Sequence, residues 1–202
     1  MPDMVSSSSS TSCNSSPTKT DPELDNQEDF ASTKNLSNFE EINPPGGTDK
    51  VVLYTTSVRG IRKTFEDCRA IKFLLESFRV VYIERDVSMH LKFRDELWEV
   101  LGGRVVPPRL FIKGRYIGGA DEVVMLQEVG MLKKLLQGIP VIDSLTANVK
   151  CCHCGGVRFL LCLHCSGSCK VYKGDQVDEG TLFVRCTNCN ENGLIQCPTC
   201  SY

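Results

Sequence analysis

The 202-residue chain is close to neutral, with a net charge of −2, and 41% of its residues are hydrophobic. That length and composition allow one or two modest folded domains. No segment is strongly basic, which argues against nucleic-acid binding by charge. No apolar run reaches the roughly eighteen residues that a membrane-spanning helix needs, so the sequence predicts no such helix.

Residues 1–49 are predicted to be a disordered tail, because nine acids, two bases and a Ser/Thr-rich start leave little apolar surface to bury. Leu36, Phe39 and Ile42 could instead form a short docking turn. The segment has no apolar signal-peptide core and no Arg, which argues against secretion and organelle import. We therefore expect a cytoplasmic or nuclear protein, in a reducing compartment where paired cysteines bind metal or act as redox thiols.

Residues 50–137 alternate between strand and helix patterns. Apolar runs predict buried strands at 51–54 and 80–83, and a Lys-Gly turn predicts a hairpin of 110–112 with 116–117. Helical periodicity predicts helices at 63–78 and at 88–101, the second capped by Ser88 with Leu91 and Leu97 facing inward. Asp121 is expected to cap a third helix that ends at Glu128, and 131–136 form a short last one. This order predicts a parallel βαβ unit, then an antiparallel hairpin, with helices on both faces.

One cysteine, Cys68, lies near the start of the first predicted helix. The unpaired N–H groups and partial positive charge of a helix N-terminus lower the pKa of a nearby thiol. The preceding loop carries Arg59, Arg62 and Lys63, which could hold an anionic ligand or form a solvated basic loop. Cys68 could instead be a small core residue, and burial would then make it inert.

These features resemble the glutaredoxin family of the thioredoxin fold over residues 50–137. The resemblance rests on the element order, on a proline before the third strand, and on the stretch Phe111-Ile-Lys-Gly-Arg-Tyr-Ile-Gly-Gly119. Cys68-Arg-Ala-Ile-Lys72 is similar to the second active-site cysteine of the family and the residues directly after it. Phe65 then stands where the family has its nucleophilic cysteine.

The resemblance implies a glutathione site. In the family, the backbone beside a cis-proline, here Pro108, pairs with the cysteinyl part of glutathione, and a Gly-Gly-Cys-Asp stretch holds the γ-glutamyl end. The residues implied for glutathione are Arg59, Lys63, Val106, Pro107, Pro108, Gly118, Gly119 and Asp121. Cys68 is the implied catalytic residue, although it would lie one helical turn beyond the nucleophile position.

Residues 138–150 are predicted to be a linker, and residues 151–202 a cysteine-rich zinc module. The module carries four C-x-x-C pairs: Cys151/Cys154, Cys162/Cys165, Cys186/Cys189 and Cys197/Cys200. Two such pairs bring four thiolates to one ion at about 2.3 Å, so eight thiolates predict two structural Zn²⁺ ions. Disulfides and an iron–sulfur cluster are the alternatives, and His153 and His164 are expected to lie outside the ligand sets.

The spacing resembles the cysteine-rich region of DnaJ-type co-chaperones, in which the first pair joins the fourth and the second joins the third. The whole arrangement resembles the cysteine-rich glutaredoxin-domain proteins. That resemblance implies binding of glutathione, or of a protein partner through the zinc module or the tail, with weak or no thiol–disulfide activity. The alternatives are a monothiol oxidoreductase that uses Cys68, and an iron–sulfur cluster shared between subunits through glutathione.

Overall fold

The computed structural model describes residues 35–143, 150–172 and 182–199. Within them, a single 3-10 turn at Leu36–Asn38 precedes the helices α1 (Arg62–Ser77), α2 (Leu91–Val100), α3 (Ala120–Glu128) and α4 (Met131–Leu135). The strands are β1 (Val51–Thr55), β2 (Tyr82–Asp86), β3 (Arg109–Ile112), β4 (Arg115–Gly118), β5 (Phe159–Leu161), β6 (Lys170–Tyr172), β7 (Phe183–Arg185) and β8 (Leu194–Gln196).

A four-stranded mixed sheet in the order β2-β1-β3-β4 organises the larger domain. β1 and β2 run parallel, whereas β1 with β3 and β3 with β4 are antiparallel. All five residues of β1 are buried, as its uninterrupted apolar run requires of a central strand. The predicted thioredoxin-like order, a parallel unit followed by an antiparallel hairpin, is confirmed.

Each face of the sheet has its own core, because successive side chains of a strand point to opposite sides. Val51 and Leu53 pack on one face with residues of α1, α3 and α4. Val52 and Tyr54 pack on the other face with Leu97 of α2. Full burial of each such side chain contributes about 1.5–3 kcal/mol. The helices therefore cover both faces, as predicted.

β2 begins two residues later than predicted and continues through three charged residues. Val80 lies before it, in an isolated bridge outside the sheet. Arg85 is buried because its guanidinium donates hydrogen bonds to the Glu96 carboxylate, the Tyr54 hydroxyl and the Pro45 carbonyl. A buried charge is tolerated only with such partners, and an apolar pattern does not show them.

The second helix begins at Leu91, so the prediction that Ser88 caps it is wrong. His90 occupies the N-cap position, and its ring nitrogen accepts a hydrogen bond from the Lys92 N–H. The Ser88 hydroxyl donates instead to the Asp86 carboxylate, a local turn that competes with capping. Leu91 is exposed rather than inward-facing, because it lies at the solvent-facing start of the helix.

Residues 35–49, which we assigned to the disordered tail, lie against the folded domain. Leu36 and Phe39 pack on one core of the sheet, and Ile42 packs on the other. The docking turn, which we considered as the alternative, is therefore the form that this stretch adopts. Residues 1–34 lie outside the described residues.

The same stretch runs along the outer edge of β4, and we call residues 35–42 the arm. The Glu40 carbonyl accepts the Tyr116 N–H at 3.0 Å, and Glu41 forms an antiparallel bridge with Arg115. The Arg115 guanidinium donates to the Phe39 carbonyl at 2.8 Å and to the Glu41 carboxylate at 3.0 Å. The arm thus pairs with the last strand of the sheet through both backbone and side chains.

The first residues of the predicted linker also pack on the domain. The Val81 N–H donates to the Pro140 carbonyl at 2.8 Å, and the Ile142 N–H donates to the Arg79 carbonyl at 2.7 Å. Residues 144–149 lie outside the described residues. The part of the linker that is described is therefore ordered against the start of β2.

The cysteine-rich region forms two small antiparallel sheets, β5 with β8 and β6 with β7. Its buried cluster consists of Cys162, Cys165 and Cys186 rather than large apolar side chains. The region contacts the larger domain at two places. The Arg158 Nε lies 3.2 Å from a Glu84 carboxylate oxygen, and the Glu191 carboxylate accepts the N–H of Leu91 at the start of α2. Among the described helices, none has the length and apolar character to cross a bilayer.

Candidate functional site

Cys68 lies in the second turn of α1, with 2% of its surface exposed. Burial raises the pKa of its thiol, and the Asp86 and Asp67 carboxylates act in the same direction. Hydrogen bonds with the Thr55 side chain and the Thr56 backbone oppose this shift without outweighing it. The expectation that the helix N-terminus lowers the pKa is therefore wrong, because burial outweighs it. A thiol that stays protonated is a poor nucleophile.

Phe65, at the implied nucleophile position, ends the first turn of α1. The Arg59 guanidinium carbon lies 5.1 Å from the centroid of its ring, and that of Arg69 lies 5.8 Å from it. Both distances are within the range of cation–π attraction. Phe65 and Cys68 line the same hollow of about 130 Å³. The ring thus gathers two cations at the place where the resemblance expects a thiol.

A separate apolar cleft of about 230 Å³ lies between the loop after β1 and the segment before β3, and we call it the ligand cleft. Val58, Ile61 and Val106 line it and are more than half exposed. Its other lining residues are Thr56, Gly60, Thr64, Val87 and Pro107. Cys68 is not among them, so the described cleft places no thiol beside a bound ligand.

The peptide bond between Pro107 and Pro108 is cis, as the resemblance implied for Pro108. The residue before the cis-proline is itself a proline, so Pro107 has no N–H to donate. The neighbouring Val106 carbonyl accepts a hydrogen bond from the Arg109 Nε at 2.9 Å. A ligand that lies along Pro107 therefore meets a carbonyl acceptor without the accompanying donor.

Arg109 is a cation at this site that the sequence analysis missed. Its Nη1 donates to the Tyr116 hydroxyl at 2.9 Å, while its Nε holds the Val106 carbonyl. A Cβ added at Gly119 would lie 2.9 Å from the same Nη1. The guanidinium therefore lies between the proline segment and the double glycine. In the sequence, the position of Arg109 directly after the proline pair could have indicated a role in the site. The same position is equally typical of a polar residue that begins a strand.

The double glycine permits a close approach of backbone to side chain. Gly118 has a φ of +136°, and a Cβ there would lie 2.7 Å from the Glu122 side chain. Only glycine accommodates both conditions. The Gly119 N–H donates to the Glu122 carboxylate at 2.9 Å, and Gly119 is the N-cap of α3.

Asp121 is therefore not the helix cap that we predicted, and lies instead in the first turn of α3. A hydrogen bond with Asp67 raises the pKa of Lys63, and the charge of Asp121 adds to this effect. The Lys63 ammonium lies 2.7 Å from the Asp67 carboxylate. The fold thus brings Lys63 and Asp121, two of the residues implied for glutathione, within electrostatic reach of each other.

The second and third C-x-x-C pairs form one cluster, in which the sulfurs of Cys162, Cys165, Cys186 and Cys189 all lie within 4.8 Å of one another. The Cys162 and Cys186 sulfurs are 3.8 Å apart, and those of Cys165 and Cys189 are 3.6 Å apart. A tetrahedral site with metal–sulfur bonds of about 2.3 Å has edges of about 3.8 Å. Disulfide sulfurs would be about 2.05 Å apart. The cluster therefore fits a metal ion and does not form disulfides.

The first and fourth pairs meet in a second cluster of Cys151, Cys154 and Cys197. The Cys151 and Cys197 sulfurs are 3.8 Å apart, again a tetrahedral edge. Cys200, the predicted fourth ligand, lies outside the described residues. Both clusters combine the pairs in the order that the DnaJ-type resemblance implied.

Thiols this close together do not ionise independently. Burial opposes ionisation of Cys165, but hydrogen bonds from the Cys189 thiol and other neighbours lower its pKa to about 7. Burial and the interaction with Cys165 raise the pKa of Cys189. One thiolate is thus stabilised by protonated neighbours, and a metal ion must displace the remaining protons.

His153 and His164 are both exposed, and neither belongs to the two cysteine clusters of the described chain. The His153 Nδ1 lies 3.3 Å from the Cys152 sulfur and 3.1 Å from the Thr199 hydroxyl. These contacts keep His153 on the outer side of its knuckle. That neither histidine is a metal ligand stays a prediction.

Two sequence profiles match separate parts of the chain. The glutaredoxin profile matches residues 51–117, and the profile described as "GRXCR1/2, C-terminal domain" matches residues 151–201. Over 156 residues the chain is 33% identical to human glutaredoxin domain-containing cysteine-rich protein 1, a match that covers 76% of this chain and 53% of that protein. The chain belongs to the glutaredoxin family, and its relatives include proteins named glutaredoxin domain-containing cysteine-rich proteins.

A second relative in sequence, an uncharacterized protein of Arabidopsis thaliana, is 41% identical over 189 residues, or 83% of this chain and 48% of its own length. The chain thus spans about half the length of these two relatives. Among solved structures, wheat glutaredoxin superposes with a TM-score of 0.41 and 23% identity, over 53% of this chain and 94% of its own. This chain thus joins a glutaredoxin domain to a C-terminal cysteine-rich domain.

Proposed function

We propose that the glutaredoxin domain binds glutathione or a partner polypeptide and has weak or no thiol–disulfide activity. The cysteine-rich domain holds two structural zinc ions and supports interaction with a protein partner. The observation that carries this proposal is that the glutaredoxin domain lacks an accessible cysteine. Its single cysteine, Cys68, is buried, and Phe65 stands at the nucleophile position.

Thiol–disulfide exchange needs a thiolate that can reach a disulfide sulfur. Cys68 fails on both counts, because its pKa is raised and its sulfur is shielded. It lines the 130 Å³ hollow under Phe65 rather than the ligand cleft. A glutathionyl group placed beside Pro107 would therefore meet apolar side chains instead of a nucleophile.

Binding is supported by charge and by shape. Glutathione is anionic and needs cations or helix N-termini. The first turn of α1 contains no acidic residue. Arg59 and Lys63 are chain neighbours of Gly60 and Thr64, which line the cleft, and Arg109 donates to the carbonyl of Val106, which also lines it. The missing N–H of Pro107 removes one donor, which costs about 0.5–1.5 kcal/mol for a hydrogen bond. We therefore expect glutathione to bind weakly, and the apolar cleft favours a ligand with an apolar side chain.

Zinc is supported by the chemistry of the donor sets. Thiolates at tetrahedral spacing suit Zn²⁺, which prefers closed four-coordinate sites when its role is structural. Cys162, Cys165, Cys186 and Cys189 would hold one ion, and Cys151, Cys154, Cys197 and Cys200 the other. Such ions supply folding free energy to a region whose described core consists largely of cysteines.

The activity is tested with purified full-length chain, loaded with zinc, and a small glutathione mixed disulfide as substrate. We expect turnover no faster than the reaction without protein, and no change in Cys68→Ser. Turnover that disappears in Cys68→Ser would instead establish the monothiol oxidoreductase.

Binding is tested by calorimetry with reduced glutathione. Lys63→Ala should weaken binding, whereas Lys133→Ala, an exposed lysine of α4, should leave it unchanged. Equal effects of the two substitutions would refute the assigned cleft. Elemental analysis should find about two zinc ions per chain, and a much lower content would refute the metal assignment.

A further inference from the structure

The turn formed by residues 190–193, which we call the 190 turn, joins the cysteine-rich domain to the start of α2. The Glu191 carboxylate accepts the Leu91 N–H at 2.7 Å. Leu91 is the first residue of α2, and its N–H has no partner within the helix. The Asn190 amide donates to the Met89 carbonyl at 2.7 Å. The cysteine-rich domain therefore supplies a second acceptor at the start of this helix, beside the His90 ring that caps it.

The shape of the 190 turn depends on the cysteine cluster beside it. Cys189 is a member of that cluster, and Asn190 comes directly after it. The Asn190 side-chain oxygen accepts the Asn192 N–H at 3.0 Å. The Cys169 thiol donates to the carbonyls of Asn190 and Glu191 at 3.6 and 3.5 Å. Cys169, which the metal sites leave unused, is thus a positioning residue for this turn.

The loop that the 190 turn contacts also forms part of the ligand cleft. The Asn192 amide donates to the Met89 carbonyl at 3.2 Å and to the Ser88 carbonyl at 3.4 Å. The Ser88 hydroxyl lies 3.4 Å from the Ser57 hydroxyl, in the loop after β1. Val87, between the contacted residues and β2, lines the ligand cleft. A displacement of the 190 turn therefore acts on Met89, which is two residues from Val87 in the cleft wall.

We propose that metal occupancy of the Cys162–Cys165–Cys186–Cys189 cluster controls the ligand cleft of the glutaredoxin domain through the 190 turn. With a metal ion, four thiolates bind one centre and fix the turn against α2. Without it, weak thiol contacts replace those bonds, and the loop at residues 86–90 loses its support. The ligand part of this inference rests on the proposed function. Because coupling is reciprocal, a ligand in the cleft must tighten metal binding by the same factor.

The coupling itself is tested by amide hydrogen exchange over residues 86–93 in full-length chain, with zinc and after chelation. Loss of a capping acceptor corresponds to about five-fold faster exchange. We expect this increase on zinc removal and also in zinc-loaded Glu191→Ala/Asn192→Ala. Zinc removal from the double variant should add little. Asn188→Ala is the matched control, since its side chain bonds only Thr187 among the described residues.

A second pair of variants separates the two metal sites. Cys165→Ser and Cys151→Ser should each lower the zinc content by about one ion per chain. Only Cys165→Ser should speed exchange over residues 86–93. Equal exchange with and without zinc, or equal effects of the two variants, would overturn the inference.

Calorimetry with reduced glutathione distinguishes failure of this inference from failure of the proposed function. We expect affinity to fall by about five-fold on zinc removal, in step with exchange. Binding that is independent of zinc would overturn the control of the cleft and leave the proposed function intact. Zinc-dependent exchange without any glutathione binding would support the coupling and refute glutathione as the ligand.

Discussion

Phe65→Cys should create a reactive thiol, because the position already has the surroundings that stabilise a thiolate. The guanidinium carbons of Arg59 and Arg69 lie 5.1 and 5.8 Å from the centre of the ring that would be removed. At such distances, in water, each cation favours a thiolate by about 0.7–0.8 kcal/mol. With about 0.5 kcal/mol from the helix N-terminus, the total corresponds to about 1.5 pKa units.

We therefore expect the new thiol to titrate near pH 7 instead of about 8.5, so that about half of it is thiolate at neutral pH. The thiolate fraction, and with it reactivity, should rise as pH rises through that value. Salt should weaken the effect, because the two cations are close to solvent.

The assay is the rate of iodoacetamide alkylation at position 65 as a function of pH, measured by mass spectrometry in a Cys68→Ser background. Phe65→Ser in the same background is the control for turnover of a glutathione mixed disulfide, which only Phe65→Cys should support. A midpoint at or above the ordinary value of about 8.5 would refute the electrostatic reasoning. A lowered midpoint without turnover would show that the ligand cleft does not present a disulfide to this position.

Burial and the cysteine clusters set three further expectations. In folded chain, Cys68 should react with iodoacetamide at least about ten-fold more slowly than after denaturation, since its pKa is raised and its sulfur is shielded; equal rates by mass spectrometry would contradict this. Acidification of the zinc-loaded chain should release zinc once protons compete with the metal for the thiolates, and retention of both ions at about pH 3 by elemental analysis would argue against thiolate ligands. Glu96→Ala should lower the free energy of unfolding in urea by about 3 kcal/mol, because it leaves Arg85 buried without its carboxylate. Glu99→Ala, on the exposed side of the same helix, should change it by less than about 0.5 kcal/mol, and similar losses would refute the buried pair.

The sheet and its helices could be predicted because their signals are local. Val51–Tyr54 is an uninterrupted apolar run, and the spacing of Ile71 and Leu75 marks one face of a helix. The first residues of the helices were harder to predict, because a side chain that could cap a helix can form another local hydrogen bond instead. Asp86 takes the Ser88 hydroxyl, so the predicted cap does not form.

Long-range partners account for most of what the sequence could not show. Arg85 looked like the end of a strand, and its burial depends on Glu96 and on Pro45, forty residues before it. Glu191 and Leu91 are separated by 100 positions, and neither belongs to a motif. The cysteines that could bind metal were recognisable as spaced pairs, whereas the way the pairs combine came only from resemblance.

The arm has a consequence for the integrity of the sheet. β4 is an edge strand, and an unpaired edge is a template for strand addition by another molecule. Residues 35–42 occupy that edge, with Glu40 and Glu41 paired to Tyr116 and Arg115. A glutaredoxin domain cut at residue 50, where the sequence alone would place its start, exposes this edge and invites self-association. A boundary about fifteen residues earlier, at the beginning of the arm, keeps this edge paired, and we expect the longer domain to self-associate less.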